Sequence, residues 1–148
     1  MDKAWGDFLK KDYGQGFPAF CGFKVVKVEE GRFEASLRIR PQHRQQDGLV
    51  HAGVIATMAD HTAGYAAFTT VSPKYRILTV EFKINFLKPA QGGYLLCRSR
   101  VLSRGRKVIV SESEVFSRAA DAEKLVAKAM VTLMVTPAAD LVKKPAGV

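Results

Sequence analysis

An aspartate inside an apolar helical run, downstream of a histidine and two small residues, is the feature of this chain best suited to chemistry. The run from Gly53 to Val71 is rich in Ala, Thr and Met, lacks proline, and is apolar or small nearly all the way round. A helix of that character is expected to be enclosed on most sides. Asp60 lies within it among Thr57, Met58, Ala59, Ala63 and Gly64. An ionised carboxylate there is costly unless it is paired or reached by solvent. It is either a structural group bonded to backbone or an arginine, or a functional one. His51-Ala52-Gly53 opens the same run after a polar loop. Small residues at a helix start leave unpaired N–H groups open to a ligand. With the helix dipole, those donors suit the oxyanion that forms when a thioester carbonyl is attacked. A base or nucleophile plus an oxyanion hole is the minimum equipment for acyl-thioester hydrolysis.

Spacing adds a constraint. Ala52 and Asp60 are eight residues apart, roughly 12 Å along a helix rising about 1.5 Å per residue. One carbonyl cannot touch both groups on a single helix. If both serve one reaction they belong to different subunits, with two helices antiparallel across a two-fold axis and two identical sites. A homodimer is therefore expected.

The elements that must position these groups are legible from periodicity. Ala4, Trp5, Phe8 and Leu9 recur at helical spacing in residues 3–12, with Trp5 read as an anchor on the core or as a lid over an acyl pocket. Phe23 to Ile39 reads as a hairpin turning at Glu30-Gly31, and Pro41 to Val50 as polar loop. From Arg76 the pattern is strands: Leu78, Val80, Phe82, Ile84 and Phe86 alternate with Thr79, Glu81, Lys83 and Asn85. A turn is expected at Pro89–Gly93, a strand at Tyr94–Leu102, a tight turn at Ser103–Arg106, a strand at Lys107–Ser117, a turn at Arg118–Lys124 and a last strand at Leu125–Val135. Four hairpin-linked strands make an antiparallel sheet, with the one apolar helix on a face of it. The fold class is two-layer α+β, a single domain over 1–148 with a helical segment at 1–20 and a flexible tail at 138–148.

Composition narrows the function classes. The chain has 148 residues, 47% of them hydrophobic, enough for one real core. Cys21 and Cys97 form no CxxC pair and read as buried free thiols in a reducing compartment. The charged N-terminus is unlike a signal peptide's apolar stretch, and His51, Asp60 and His61 interrupt the least polar run, so neither a targeting segment nor a membrane span is expected and the location is read as cytoplasmic. The net charge of +9 favours a polyanionic partner. Basic residues cluster at Arg38–Arg44 (with His43), Lys83–Lys88, Arg98–Lys107 and Lys143–Lys144. No aromatic interleaving of the RNA-binding kind accompanies them. A phosphorylated small molecule fits better than nucleic acid.

Gln45, then His51-Ala52-Gly53, then Asp60 resemble the signature of the phenylacetate-pathway-type and 4-hydroxybenzoyl-CoA-type hot-dog thioesterases, carried by HRQQDGLVHAGVIATMADHTAGYAA. LTVEFKINFLKPA and SRGRKVIVSESEV resemble the strand and hairpin that follow, so the likeness spans about residues 20–136. It implies a hot-dog fold, an antiparallel sheet wrapped around one long central helix. It implies hydrolysis of an acyl-CoA thioester, with Asp60 as nucleophile or general base and the Ala52 N–H as oxyanion donor. Gln45 would orient water or carbonyl from the facing subunit, and Thr79 would sit near the water. His51 holds the loop and helix start; His61 has no matching role and reads as a packed or interface histidine. Substrate contacts are expected at Gly53, Lys88, Arg104 and Arg106, the last three toward the coenzyme A nucleotide. No cofactor and no metal are expected, and dimers are expected to pair into tetramers. Ala52 departs from the family's usual glycine and puts a methyl group where backbone meets ligand. Two rivals remain: a hydratase or dehydratase of the same fold, and a non-catalytic acyl-CoA-binding module.

Overall fold

The computed structural model describes residues 1–141. Helix α1 (Lys3–Tyr13) starts at Asp2, whose Oδ1 accepts the Trp5 N–H at 2.7 Å. Helix α2 (Phe17–Cys21) follows, with proline in its first turn. Strands β1 (Lys24–Glu29) and β2 (Arg32–Arg38) form the first hairpin, and a 3-10 turn (Pro41–His43) leads to α3 (Ala52–Phe68). Then come β3 (Tyr75–Phe86), β4 (Tyr94–Arg104), β5 (Val108–Ala119), β6 (Ala122–Pro137) and a short α4 (Ala138–Leu141). The six strands lie in the order β1-β2-β4-β5-β6-β3, every neighbour antiparallel. The sheet curls around α3, which packs on β2 through β6. This is the hot-dog arrangement.

The helix is held by one stripe. Ile55, Met58, Ala59, Thr62, Ala63, Ala66 and Ala67 are buried at three- and four-residue spacing. They face Phe33, Ala35 and Leu37 of β2, Leu95 and Cys97 of β4, Ile109 and Val115 of β5, and Val131 and Leu133 of β6, all buried. Ile55 and Met58 each contribute on the order of 2 kcal/mol by leaving water. The opposite side of α3 is not enclosed, contrary to what its composition suggests: Ala56, Thr57, Asp60, His61 and Gly64 are half-exposed. One curled sheet covers one side of a helix, so the second side needs another cover.

Three expectations need correction. First, β3 is not hairpin-linked to β4. It pairs with β6 at the sheet edge, and residues 87–93 form a crossover instead of a turn. That crossover steps along the sheet end by backbone hydrogen bonds: Leu87 N–H to Val126 O, Val50 N–H to Ala90 O, Gly93 N–H to Arg118 O, and Ile39 N–H to Gly93 O. Second, β5 and β6 run on to a two-residue turn at Ala120-Asp121. Ala120 takes a φ of 51°, a conformation usually signalled by Gly or Asn. Third, regular structure continues beyond the expected last strand: β6 runs to Pro137, and Ala138–Leu141 form α4, where the Ala138 N–H bonds to Lys74 O; residues 142–148 lie outside the described residues.

The two sheet edges differ. β1 is six residues long, bulged near Val25, and carries Lys24 and Lys27, the usual defences of an edge. β3 is twelve residues long and exposes Leu78, Val80, Phe82 and Phe86. Among the described residues no helix is long and apolar enough to cross a membrane.

Candidate functional site

His51 is the N-cap of α3. Its Nδ1 accepts the Gly53 N–H at 2.8 Å, which leaves the ring's other nitrogen to carry the proton. A Cβ at 53 would meet His51 Nδ1 at 2.9 Å and Cε1 at 3.2 Å, so a side chain there would have to push the capping ring aside. The His51 N–H in turn bonds to His43 O, and His43 is itself buried, its Nδ1 accepting the Arg40 N–H and its Nε2 donating to Cys21 O. His43 thus belongs to a structural knot behind the helix start, not to the basic surface cluster in which its sequence neighbours place it. With Gly53 committed to the cap, the Ala52 N–H has no hydrogen-bond partner among the described residues and stands exposed at the helix N-terminus. Gln45, His51, Ala52, Ile55 and Lys88 line one cavity of about 520 Å³. Gln45 Oε1 accepts the Asp47 N–H, so its amide NH₂ remains to donate.

Asp60 sits two turns further along α3, half-exposed and reached by solvent. Thr79 Oγ1 donates to its Oδ1 at 2.7 Å, leaving Oδ2 open. A β-bulge creates this pairing. Thr79 stands opposite Leu133 and Glu81 opposite Thr132, so Val80 is an extra residue. The bulge shifts the alternation by one: Thr79 faces the helix although the sequence pattern groups it with outward Glu81 and Lys83. Bulges commonly re-aim side chains in this way. Asp60 and Thr79 share a cavity of about 220 Å³ with Asp12, Tyr65, Phe68 and Arg76. Tyr65 Oη donates to Asp12 Oδ2 at 2.7 Å, and Arg76 lies 5.7 Å from the Phe68 ring. Sequence reasoning missed these four. Asp12 reaches the cavity only because α1 folds across α3, where Trp5 stacks on Phe8 and meets the Phe68 ring edge-on.

His61 is packed, its Nε2–H donating to Tyr13 O at 3.0 Å with the Tyr13 ring 4.4 Å away. Burial lowers its pKa from the usual 6.5, partly offset by the Tyr13 bond and the Asp60 and Asp12 charges. A histidine with a depressed folded pKa stabilises the fold above its unfolded value and loses that contribution as pH falls through the folded one. His61→Gln, which keeps a donor toward Tyr13 O, is therefore expected to flatten the decline of Tm below pH 6.5, read by thermal melts across pH.

Arg104 and Arg106 line a third depression of about 420 Å³ with Ser72, Tyr75 and Val135. One chain thus groups Asp60 with Thr79, Ala52 with Gln45, His51 and Lys88, and Arg104 with Arg106, but keeps the three groups in separate cavities.

The family model of the thioesterase superfamily matches residues 47–122, from just ahead of the His51 cap through the end of β5. The chain belongs to the thioesterase superfamily. Hydrolysis is accordingly the reaction class of this thioesterase-superfamily protein. The crystal structure of a thioesterase family protein from Silicibacter pomeroyi superposes with a TM-score of 0.86 at 30% identity, covering 90% of this chain and 98% of that one. A 1,4-dihydroxy-2-naphthoyl-CoA hydrolase of Listeria monocytogenes is 25% identical over 120 residues, 81% of this chain and 95% of that one. A Streptococcus mutans protein solved with acetyl CoA bound has a TM-score of 0.70 at 28% identity, covering 78% of this chain and 89% of that one.

Proposed function

We infer that this thioesterase-superfamily protein hydrolyses acyl-CoA thioesters as a homodimer whose two sites each combine Ala52 of one subunit with Asp60 of the other. One observation carries this reading. A free helix-N-terminal N–H and a solvent-reached carboxylate lie on the same continuous helix, too far apart to act on one carbonyl within a chain. The exposed apolar edge of β3 and the uncovered side of α3 supply the surface on which two copies would meet.

In the assembled site the thioester carbonyl oxygen points at the Ala52 N–H and the Gln45 amide, which stabilise its developing negative charge. Asp60, steadied by Thr79, acts from the other side. It either takes a proton from water as that water attacks the carbonyl, or attacks the carbonyl itself to form an anhydride that water then opens. The thiolate of coenzyme A leaves in both routes. The Streptococcus mutans neighbour with acetyl CoA supports a coenzyme A substrate, and the +9 charge suits its phosphates. Lys88, which lines the same cavity as Ala52, and Arg104 with Arg106 in their depression are the groups to receive the nucleotide.

A panel of aryl- and alkyl-CoA esters, followed by free-thiol release, tests the reading; thiol release from none of them, or hydration of an enoyl ester without it, overturns it. Sedimentation velocity reads whether dimers pair further. Arg106→Ala and Arg104→Ala are expected to raise KM several-fold with kcat nearly unchanged, the effect shrinking at high salt because these charges are exposed and screened.

A further inference from the structure

Beneath the middle of α3 the sheet carries hydroxyl groups where the rest of the core carries hydrocarbon. Ser99 on β4 and Ser113 on β5 are cross-strand partners, and both are buried. Their Oγ atoms lie 2.6 Å apart, and Ser113 Oγ donates to the Ala59 carbonyl at 2.7 Å. Because the one hydroxyl proton of Ser113 is committed to Ala59, Ser99 donates to Ser113. Cys97 Sγ, 3.6 Å from Ser99 Oγ, stands behind that. Desolvation pushes the Cys97 thiol up to about 11, so it keeps its proton and can donate. The result is a one-way chain of three donors that ends on the carbonyl one residue before Asp60, and such chains polarise and strengthen their members.

The rest of the contact between helix and sheet gives little control over register. Ala59, Ala63, Ala66 and Ala67 are four of the eight buried residues of α3 and dominate its stripe between Met58 and Phe68. Methyl groups form shallow ridges, and apolar burial has no direction. Such packing fixes how deep the helix sits more firmly than where it sits along its axis. Among the described residues, Ser113 is the one strand side chain that hydrogen-bonds the α3 backbone. Ser111, two residues earlier on the same face of β5, is equally buried yet has no partner. A serine under the helix is therefore not sufficient; its position is.

We propose that Ser113, backed by Ser99 and Cys97, is a positioning residue that sets the register of α3 on the sheet and so the placement of Asp60 against Thr79 and the substrate. The proposal rests on the reading of Asp60 as the reacting carboxylate. Ser113→Ala is expected to lower kcat roughly tenfold or more with KM within twofold, since small displacements of a reacting group have large rate effects. Ser111→Ala makes the same chemical change on the same strand and is expected to leave kcat unchanged. Ser99→Ala, which deletes only the donor behind Ser113, gives a smaller loss in the same direction and serves if Ser113→Ala does not fold. Amide hydrogen exchange across residues 60–64 is expected to quicken in Ser113→Ala and not in Ser111→Ala, and this readout needs no substrate. Wild-type kcat in Ser113→Ala, an equal loss in Ser111→Ala, or unchanged exchange overturns the proposal. If Asp60→Asn keeps full activity while the exchange result holds, the functional reading fails and the register role stands.

Discussion

Asparagine in place of Asp60 is expected to lower kcat by roughly a thousandfold, inside the about 10²–10⁴ range attributed to a positioned base. That corresponds to about 4 kcal/mol of lost transition-state stabilisation. The exchange is nearly isosteric, and the asparagine carbonyl can still accept the Thr79 hydroxyl that now donates to Asp60. What disappears is the capacity to take a proton from water or to attack a carbonyl. KM should move little, because the group acts in the transition state more than in the bound ground state. Stability should also move little: the carboxylate is half-exposed, so no buried charge is stranded or relieved. Thr79→Ala leaves the carboxylate chemically competent but unsteadied, and a loss near tenfold is expected. The check is free-thiol release from an acyl-CoA ester alongside a melt and a measured oligomeric state. Activity of Asp60→Asn within tenfold of wild type would remove the carboxylate from the mechanism. Single turnover in ¹⁸O-labelled water that leaves label on Asp60 identifies the anhydride route, because direct attack by water puts label only on the acid product.

The sequence carried the elements of this fold better than their arrangement. The proline-free run rich in Ala, Thr and Met over Gly53–Val71 and the period-2 alternation in the later strands are local signals, so α3 and those strands were legible. Alternation says which side of a strand is buried; it does not say which strand lies beside it. The placement of β3 beside β6 depends on the crossover at 87–93, whose hydrogen bonds go to Val126, Val50, Arg118 and Ile39, partners scattered across the chain. The bulge at Val80 was hidden for a related reason. Leu78, Val80 and Phe82 read as unbroken alternation, but the extra residue makes Leu78 and Phe82 face opposite sides and turns Thr79 toward Asp60. At the candidate site, His51-Ala52-Gly53 and Asp60 stood out because they are the polar and small interruptions of an apolar run. Asp12, Tyr65 and Arg76 did not, since their closeness to Asp60 is a product of how α1 and β3 pack on α3. Ser113 was equally silent. In a strand it is an ordinary small residue, and only the Ala59 carbonyl above it gives it meaning.

Proline at position 52 is the sharpest probe of the divided site. Ala52 is the first residue of α3, where proline is favoured because its missing N–H would be unpaired in any case. His51 has φ −63° and ψ 133°, the extended conformation that a following proline requires. Ala52→Pro therefore deletes the proposed oxyanion donor while the His51–Gly53 cap and the helix persist. A loss of roughly 10²–10³ in kcat is expected, the scale observed for removing one oxyanion donor. The more telling result comes from mixing. Ala52→Pro and Asp60→Asn are each nearly inactive as homodimers. If subunits exchange at random, half of the mixed dimers are heterodimers. In each of these, one site receives wild-type Ala52 from one chain and wild-type Asp60 from the other, while the second site receives both defects. About a quarter of all sites is then intact, and thiol release should recover toward a quarter of the wild-type rate after unfolding and refolding the two variants together. A site built within one chain predicts no recovery at any mixing ratio, because every chain carries a defect in its own site. The outcome thus decides whether the separation of Ala52 and Asp60 along α3 reflects two halves of two sites or one residue with no part in the reaction.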